Sequence, residues 1–152
     1  MAVYFFDSSA IFKRYVTEPG TGWVVGITDP AAGHSIYLAT ITEVEVVSAF
    51  VRQAPPLPAA DLARITADFK HDFRNQYQRV AVNDPLIDLA MTLAETHGLR
   101  GYDAVQLAAG VELNRLGKSA GLPPLTLVSG DRQLNSAASI EGLLVEDPTV
   151  HP

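Results

Sequence analysis

The chain contains no cysteine. Disulfides and thiolate chemistry are therefore excluded, and a zinc site would have to be built from histidine and carboxylate alone. Histidine is itself sparse: residues 34, 71, 97 and 151 are too scattered for the close ligand spacing that zinc sites normally use. Positive charge is the next shortage. Eleven Lys and Arg stand against 17 Asp and Glu, a net charge of −6, which argues against a protein that coats nucleic acid through bulk electrostatics. It leaves room for an enzyme that gathers acids around a metal ion. No apolar run reaches the length needed to cross a bilayer. The N-terminus lacks the basic, apolar, small-residue order of a signal peptide, so a cytoplasmic location with no membrane partner is expected. The single tryptophan, Trp23, lies in a helical stretch, where a lone aromatic usually packs in a core or lines a groove.

What is present is a well-supplied core. Of 152 residues, 47% are hydrophobic, enough for one domain spanning residues 1–152. Short apolar runs at Val3–Phe6, Ser35–Ala39, residues 77–82, Leu125–Val128 and residues 143–146 read as strands. Helical spacing fills residues 9–16, 22–27, 43–53, 59–76, 102–116 and 132–139. Asp84-Pro85 reads as the cap and first-turn proline of a helix running to Thr96 and ended by Gly98; Gly117 is expected to end the next. Alternation of strands with helices predicts an α/β fold with a largely parallel central sheet. The Pro55-Pro56-Leu57-Pro58 break makes residues 43–76 a helical hairpin projecting from that sheet.

Four carboxylates stand in apolar company. Asp7 closes the first strand, and Asp131 follows the strand Leu125–Val128 through Ser129-Gly130. Glu45 sits within Val44-Glu45-Val46-Val47, whose other members want burial, and Asp103 lies near the start of an apolar helix. Each has an ordinary explanation. Asp7, Asp103 and Asp131 suit helix caps or the helix dipole, and Thr42 with Glu45 has capping-box spacing. Taken together, all four belong to strand ends or helix starts that should share one edge of the sheet, where open α/β folds place their ligands. Ionised carboxylates gathered there would repel, and a divalent cation with oxygen ligands removes that penalty. Such an ion can polarise a phosphoryl oxygen and acidify a bound water, the requirements of phosphodiester hydrolysis.

The stretches Tyr4-Phe5-Phe6-Asp7-Ser8-Ser9-Ala10, Thr42-Glu43-Val44-Glu45-Val46-Val47-Ser48-Ala49, Gly101-Tyr102-Asp103-Ala104-Val105-Gln106-Leu107-Ala108 and Val128-Ser129-Gly130-Asp131-Arg132-Gln133-Leu134 resemble the PIN-domain nucleases, and within them the VapC-type toxins of toxin–antitoxin pairs. Residues 141–148 resemble the family's final strand. The resemblance implies a PIN-like fold, three-layer α/β/α, and an endoribonuclease dependent on Mg2+, with Mn2+ as a substitute. It places the four acidic positions on Asp7, Glu45, Asp103 and Asp131, as catalytic and metal-binding residues. Glu45 is preferred to Glu43 because Ala49 supplies the family's small residue one helical turn later. Ser9 and Ser129 match polar positions that orient ligands. Where some relatives place a further acid this chain has Asn135, implying one firmly held ion, with a second arriving with RNA.

Positive residues must then steer the RNA backbone. Lys13 and Arg14 past Asp7, Arg100 beside Asp103 and Arg132 beside Asp131 are the candidates, with a looser basic group at Lys70, His71, Arg74 and Arg79; each is equally compatible with an ordinary solvated charge. The resemblance also implies a homodimer and a cognate VapB-type antitoxin lying against Trp23, Phe12, Tyr15 and the 43–53 helix. Three other readings stay open: a PIN-domain RNA-processing nuclease without an antitoxin, a catalytically silent binding module, and an acidic-pocket receiver domain. The last lacks its mid-chain phosphoacceptor after a third strand.

Overall fold

The computed structural model describes residues 1–151. Its strands are β1 (Val3–Phe6), β2 (Ser35–Ala39), β3 (Gln78–Val80), β4 (Leu125–Val128) and β5 (Leu144–Glu146). The helices are α1 (Ser8–Phe12), α2 (Thr21–Thr28), α3 (Thr42–Val51), α4 (Ala59–Asn75), α5 (Asp84–His97), α6 (Gly101–Ser119) and α7 (Arg132–Ile140). Every strand pairing is parallel, in the order β3-β2-β1-β4-β5. Parallel neighbours need crossover connections, and helices supply them on both faces.

Side-chain alternation along the strands sorts the core into two layers. Phe5, Ala39, Leu125 and Leu127 pack against α5, α6 and α7 through Leu86, Leu93, Leu107 and Leu134. Phe6, Ile36, Leu38 and Val128 pack on the other face against α1, α2, α3 and α4. This is the three-layer α/β/α arrangement expected for a PIN-like fold. The α3–α4 hairpin is seated along its apolar seam, with Val46, Phe50, Ile65, Phe69 and Phe73 buried.

The strand order fixes where a site can lie. From β1 the chain steps to β2 and β3 on one side, then crosses to β4 and β5 on the other. The carboxyl ends of β1 and β4 therefore flank the topological switch point, where adjoining crossovers diverge and leave a crevice.

Several local expectations are corrected. α1 stops at Phe12 instead of residue 16: amides from Lys13 to Tyr15 bond three residues back, and Arg14 and Tyr15 turn into a polar network with Asp72, Gln76 and Tyr77. α6 runs through Gly117 to Ser119, and the chain reverses at Gly121, whose φ of +73° is the left-handed conformation a helix-ending glycine supplies. Asn83 caps α5, accepting from the Leu86 amide at 3.1 Å, which leaves Asp84 to favour the helix dipole from the first turn. Val44 is 71% exposed: on α3 the positions that meet the core are Thr42, Val46 and Phe50, spaced by four. Among the described residues, no helix is long and apolar enough to cross a membrane.

Candidate active site

The crevice at the switch point is a cavity of about 630 Å³, and Asp7, Glu45, Asp103 and Asp131 all line it. Asp7 arrives directly from β1, its amide donating to the Val128 carbonyl at 3.1 Å, so the strand pairing itself holds its backbone. Its carboxylate is buried and fully engaged. Oδ1 accepts from the Ala10 amide and the Ser9 hydroxyl, each at 2.9 Å, while Oδ2 accepts from Ser129 at 2.6 Å and Ser9 at 3.1 Å. Asp7 does cap α1, as the simplest reading of the sequence allowed, and it does so from the wall of the cavity. Burial pushes its pKa up to about 6, against the lowering effect of Ser129, Ala10 and Ser9, with the Asp103 charge adding to the rise.

Ser129 joins two of the acids. Its hydroxyl donates to Asp7 and accepts from the Asp131 amide at 3.0 Å. Asp131 lies at the exposed rim and caps α7, accepting from the Leu134 amide at 2.8 Å. Asn135 donates to the Ser129 carbonyl at 2.7 Å, so the position where an acid was sought instead fixes the loop carrying Ser129 and Asp131. Asp103 occupies the first turn of α6 without capping it, since the cap position is Arg100, whose side chain bonds none of the free helix amides. Burial raises the Asp103 pKa, the charges of Asp131 and Glu45 raise it further, and Arg100 opposes them.

Glu45 makes no capping box. The cap of α3 is Ile41, with no side-chain bond, and Glu45 Oε1 instead accepts from Gln106 Nε2 at 3.0 Å. Gln106 is a site residue the sequence reading passed over. A polar side chain at a buried register of α6, one turn past Asp103, was the signal that pointed to it. Glu18, Tyr102 and Thr149 also line the cavity unforeseen.

The basic candidates separate. Lys13 lines the cavity, is 7% exposed, and pairs with Glu18 at 3.4 Å. Arg100 is exposed and outside the cavity lining, bonded to the Tyr102 hydroxyl at 3.1 Å and opposing the charges of Asp103 and Asp131. Arg14 is corrected: it points away into the network with Tyr77, Gln76 and the Thr28 carbonyl, because α1 ends early. Arg132 is exposed on α7 outside the cavity lining. Of the looser group, Arg74 pairs with Glu43 at 3.6 Å and Arg79 lies over the Phe73 ring. Trp23 stacks on His151 with centroids 4.4 Å apart, Tyr15 packs edge-on to Phe50 and Phe69, and of the aromatics suggested as groove walls Phe12 faces the cavity.

Among the described residues, no three of these side chains converge closely enough to be a ready-made chelate; the acids ring the cavity. The donor set is oxygen only, without thiolate or imidazole, and burial disfavours ionisation of Asp7 and Asp103. That chemistry suits a hard divalent cation that retains part of its water shell.

Comparison with known proteins bears on the fold and on the kind of protein the chain resembles. No protein-family model matches the chain. Over all 152 residues, and over the whole of each relative, it is 28% identical to Ribonuclease VapC45 and to Ribonuclease VapC49, from two strains of Mycobacterium tuberculosis. Its fold is similar to that of FitAcB from Neisseria gonorrhoeae, with a TM-score of 0.66 at 16% identity, covering 98% of this chain and 99% of that one. It is also similar to VapBC2 from Rickettsia felis bound to a DNA fragment from their promoter, with a TM-score of 0.63 at 11% identity, covering 95% and 98%. At these identities the structural likeness is one of fold. The resemblance to VapC-type proteins carried by four short segments thus extends along the full chain.

Proposed function

We propose that this chain is a Mg2+- or Mn2+-dependent endoribonuclease, a single domain acting in the cytoplasm as the toxin of a VapBC-type pair. The observation that carries the proposal is the meeting of Asp7, Glu45, Asp103 and Asp131 around one cavity at the switch point, in a chain similar from end to end to proteins named as VapC ribonucleases.

A cation held by these four carboxylates would supply Lewis acidity toward a phosphoryl oxygen and lower the pKa of an attacking water. The rest is done by the chain. Asp7 is immobilised by Ser9, Ser129 and the Ala10 amide, so it contributes a fixed negative charge that needs no rearrangement during the reaction. Lys13 is the cation in the cavity wall, placed to draw a backbone phosphate in beside the acids. Arg100, bonded to Tyr102 of the cavity wall, guides the strand past it. Hydrolysis forms a bond from the water oxygen to phosphorus and breaks the phosphorus–oxygen bond to the departing ribose, whose oxygen takes up a proton.

A VapB-type antitoxin is the expected protein partner, and a homodimer the expected assembly. An antitoxin segment bearing arginine would suit a cavity rich in carboxylate, through bidentate charge-assisted bonds. The test is cleavage of a panel of structured RNAs by antitoxin-free protein in Mg2+ and in Mn2+, compared with Asp7→Asn and Asp103→Asn. Cleavage by the wild type that both substitutions abolish is the expected result. A wild type that leaves every RNA intact in both metals refutes the nuclease. For the toxin role, expression should arrest growth, and co-expression of a small adjoining reading frame should restore it.

A further inference from the structure

Gln106 lies on α6 among buried positions that are mostly alanine and leucine, and it is 2% exposed. Its Nε2 donates to Glu45 Oε1 and Thr42 Oγ1, each at 3.0 Å, and to Ser8 Oγ at 3.2 Å. A carboxylate only accepts, so Glu45 dictates which end of the amide faces it. Two hydrogens thus serve three acceptors from the starts of α1 and α3. The other end of the amide, Oε1, is buried with no hydrogen-bond partner.

A bare buried acceptor is costly, and leucine or methionine would fill this volume without that cost. Packing therefore does not account for the amide. What an apolar residue could not supply is a donor for Glu45 and for the buried Thr42 hydroxyl. Among the described residues, Gln106 is the only hydrogen-bond partner of the Glu45 side chain, which is half-buried on α3.

We infer that Gln106 is a positioning residue, tying Glu45 to the end of α6 that carries Asp103 so that both carboxylates are turned toward one cation. The inference rests on the metal-dependent reading above. Partners that orient a ligating carboxylate are worth about 10–100-fold in metal affinity or activity.

The test uses Mn2+ as probe, with free ion counted by electron paramagnetic resonance, on the wild type, Gln106→Leu and Gln106→Glu. The leucine removes the donor; the glutamate keeps the shape and sets a second acceptor against Glu45, and it serves alone if the leucine variant does not fold. Mn2+ affinity should fall about tenfold in the leucine variant and further in the glutamate variant. At limiting Mn2+, kcat should drop while KM for RNA holds, and excess Mn2+ should restore kcat. A folded leucine variant with wild-type Mn2+ affinity overturns the inference while the nuclease reading stands. A wild type that binds no Mn2+ removes both.

Discussion

Asp7→Asn should make the protein more stable while removing its activity. In the folded chain the Asp7 pKa is pushed from 3.8 to about 6 by burial, so the native state holds this proton more tightly than the unfolded chain does. The stability it contributes is full below about pH 4 and is lost as pH rises through about 6. By pH 7.5 that loss amounts to roughly 3 kcal/mol. Asparagine is uncharged and never incurs it. Its Oδ1 still accepts from the Ala10 amide, but its amide end meets Ser129, a hydroxyl that donates to Asp7 at 2.6 Å; reversing that bond costs about 1 kcal/mol. The net gain is about 2 kcal/mol, or roughly 4–8 °C in Tm for a chain of this size. Melts followed by circular dichroism in EDTA, at pH 7.5 and pH 4.5, measure it. At the lower pH roughly two-thirds of the charge penalty has disappeared, so the two proteins should then melt together. A variant less stable than wild type at pH 7.5, or a difference unchanged between the two pH values, would refute the account of Asp7 as a carboxylate held at a cost. RNA cleavage by the same variant should be lost.

Other expectations bear on the same geometry. Asp103→Asn should lower cleavage by at least about a hundredfold and weaken Mn2+ binding, read by kinetics and by calorimetry; unaltered Mn2+ affinity would place the ion elsewhere. Ser129→Ala leaves Asp7 Oδ2 without its shortest donor, costing about 1–3 kcal/mol in urea unfolding. Loss of that bond raises the Asp7 pKa further, so the acid limb of the pH–rate profile should move to higher pH. Gly20→Ala should destabilise by at least about 1–2 kcal/mol. Gly20 has φ +93°, and a Cβ there would run into the Pro148 carbonyl, so limited proteolysis should cut first in the C-terminal turn.

Much of the fold was legible because it is local chemistry. Val3–Phe6, Ser35–Ala39 and Leu125–Val128 are strands with the expected bounds, since short β-branched and aromatic runs between turn signals have few other ways to bury themselves. The segments that misled were those where distant residues compete for a side chain. Arg14 and Tyr15 continue a helical pattern in sequence, yet hydrogen bonds to Gln76, Tyr77 and Asp72 pull them out of the helix. Thr42 and Glu45 have the spacing of a capping box, yet both turn to Gln106, 61 or more positions away. Gly117 has the composition of a helix stop, yet the helix runs past it and the chain reverses at Gly121, where the Leu122 amide bonds back to the Gly117 carbonyl.

The sequence by itself determined the strand and helix inventory, the parallel α/β class and the acids that end strands or begin helices, because each depends on residues within a few positions of one another. Only the tertiary structure decided that Asp7, Glu45, Asp103 and Asp131 line a single cavity. That outcome depends on the strand order, which sets β1 beside β4 and opens a crevice between their ends. It also decided how those acids are held by distant residues, by Ser129 on Asp7 and by Gln106 on Glu45. Hydrogen bonds across such separations in the chain exist only after the layers have packed.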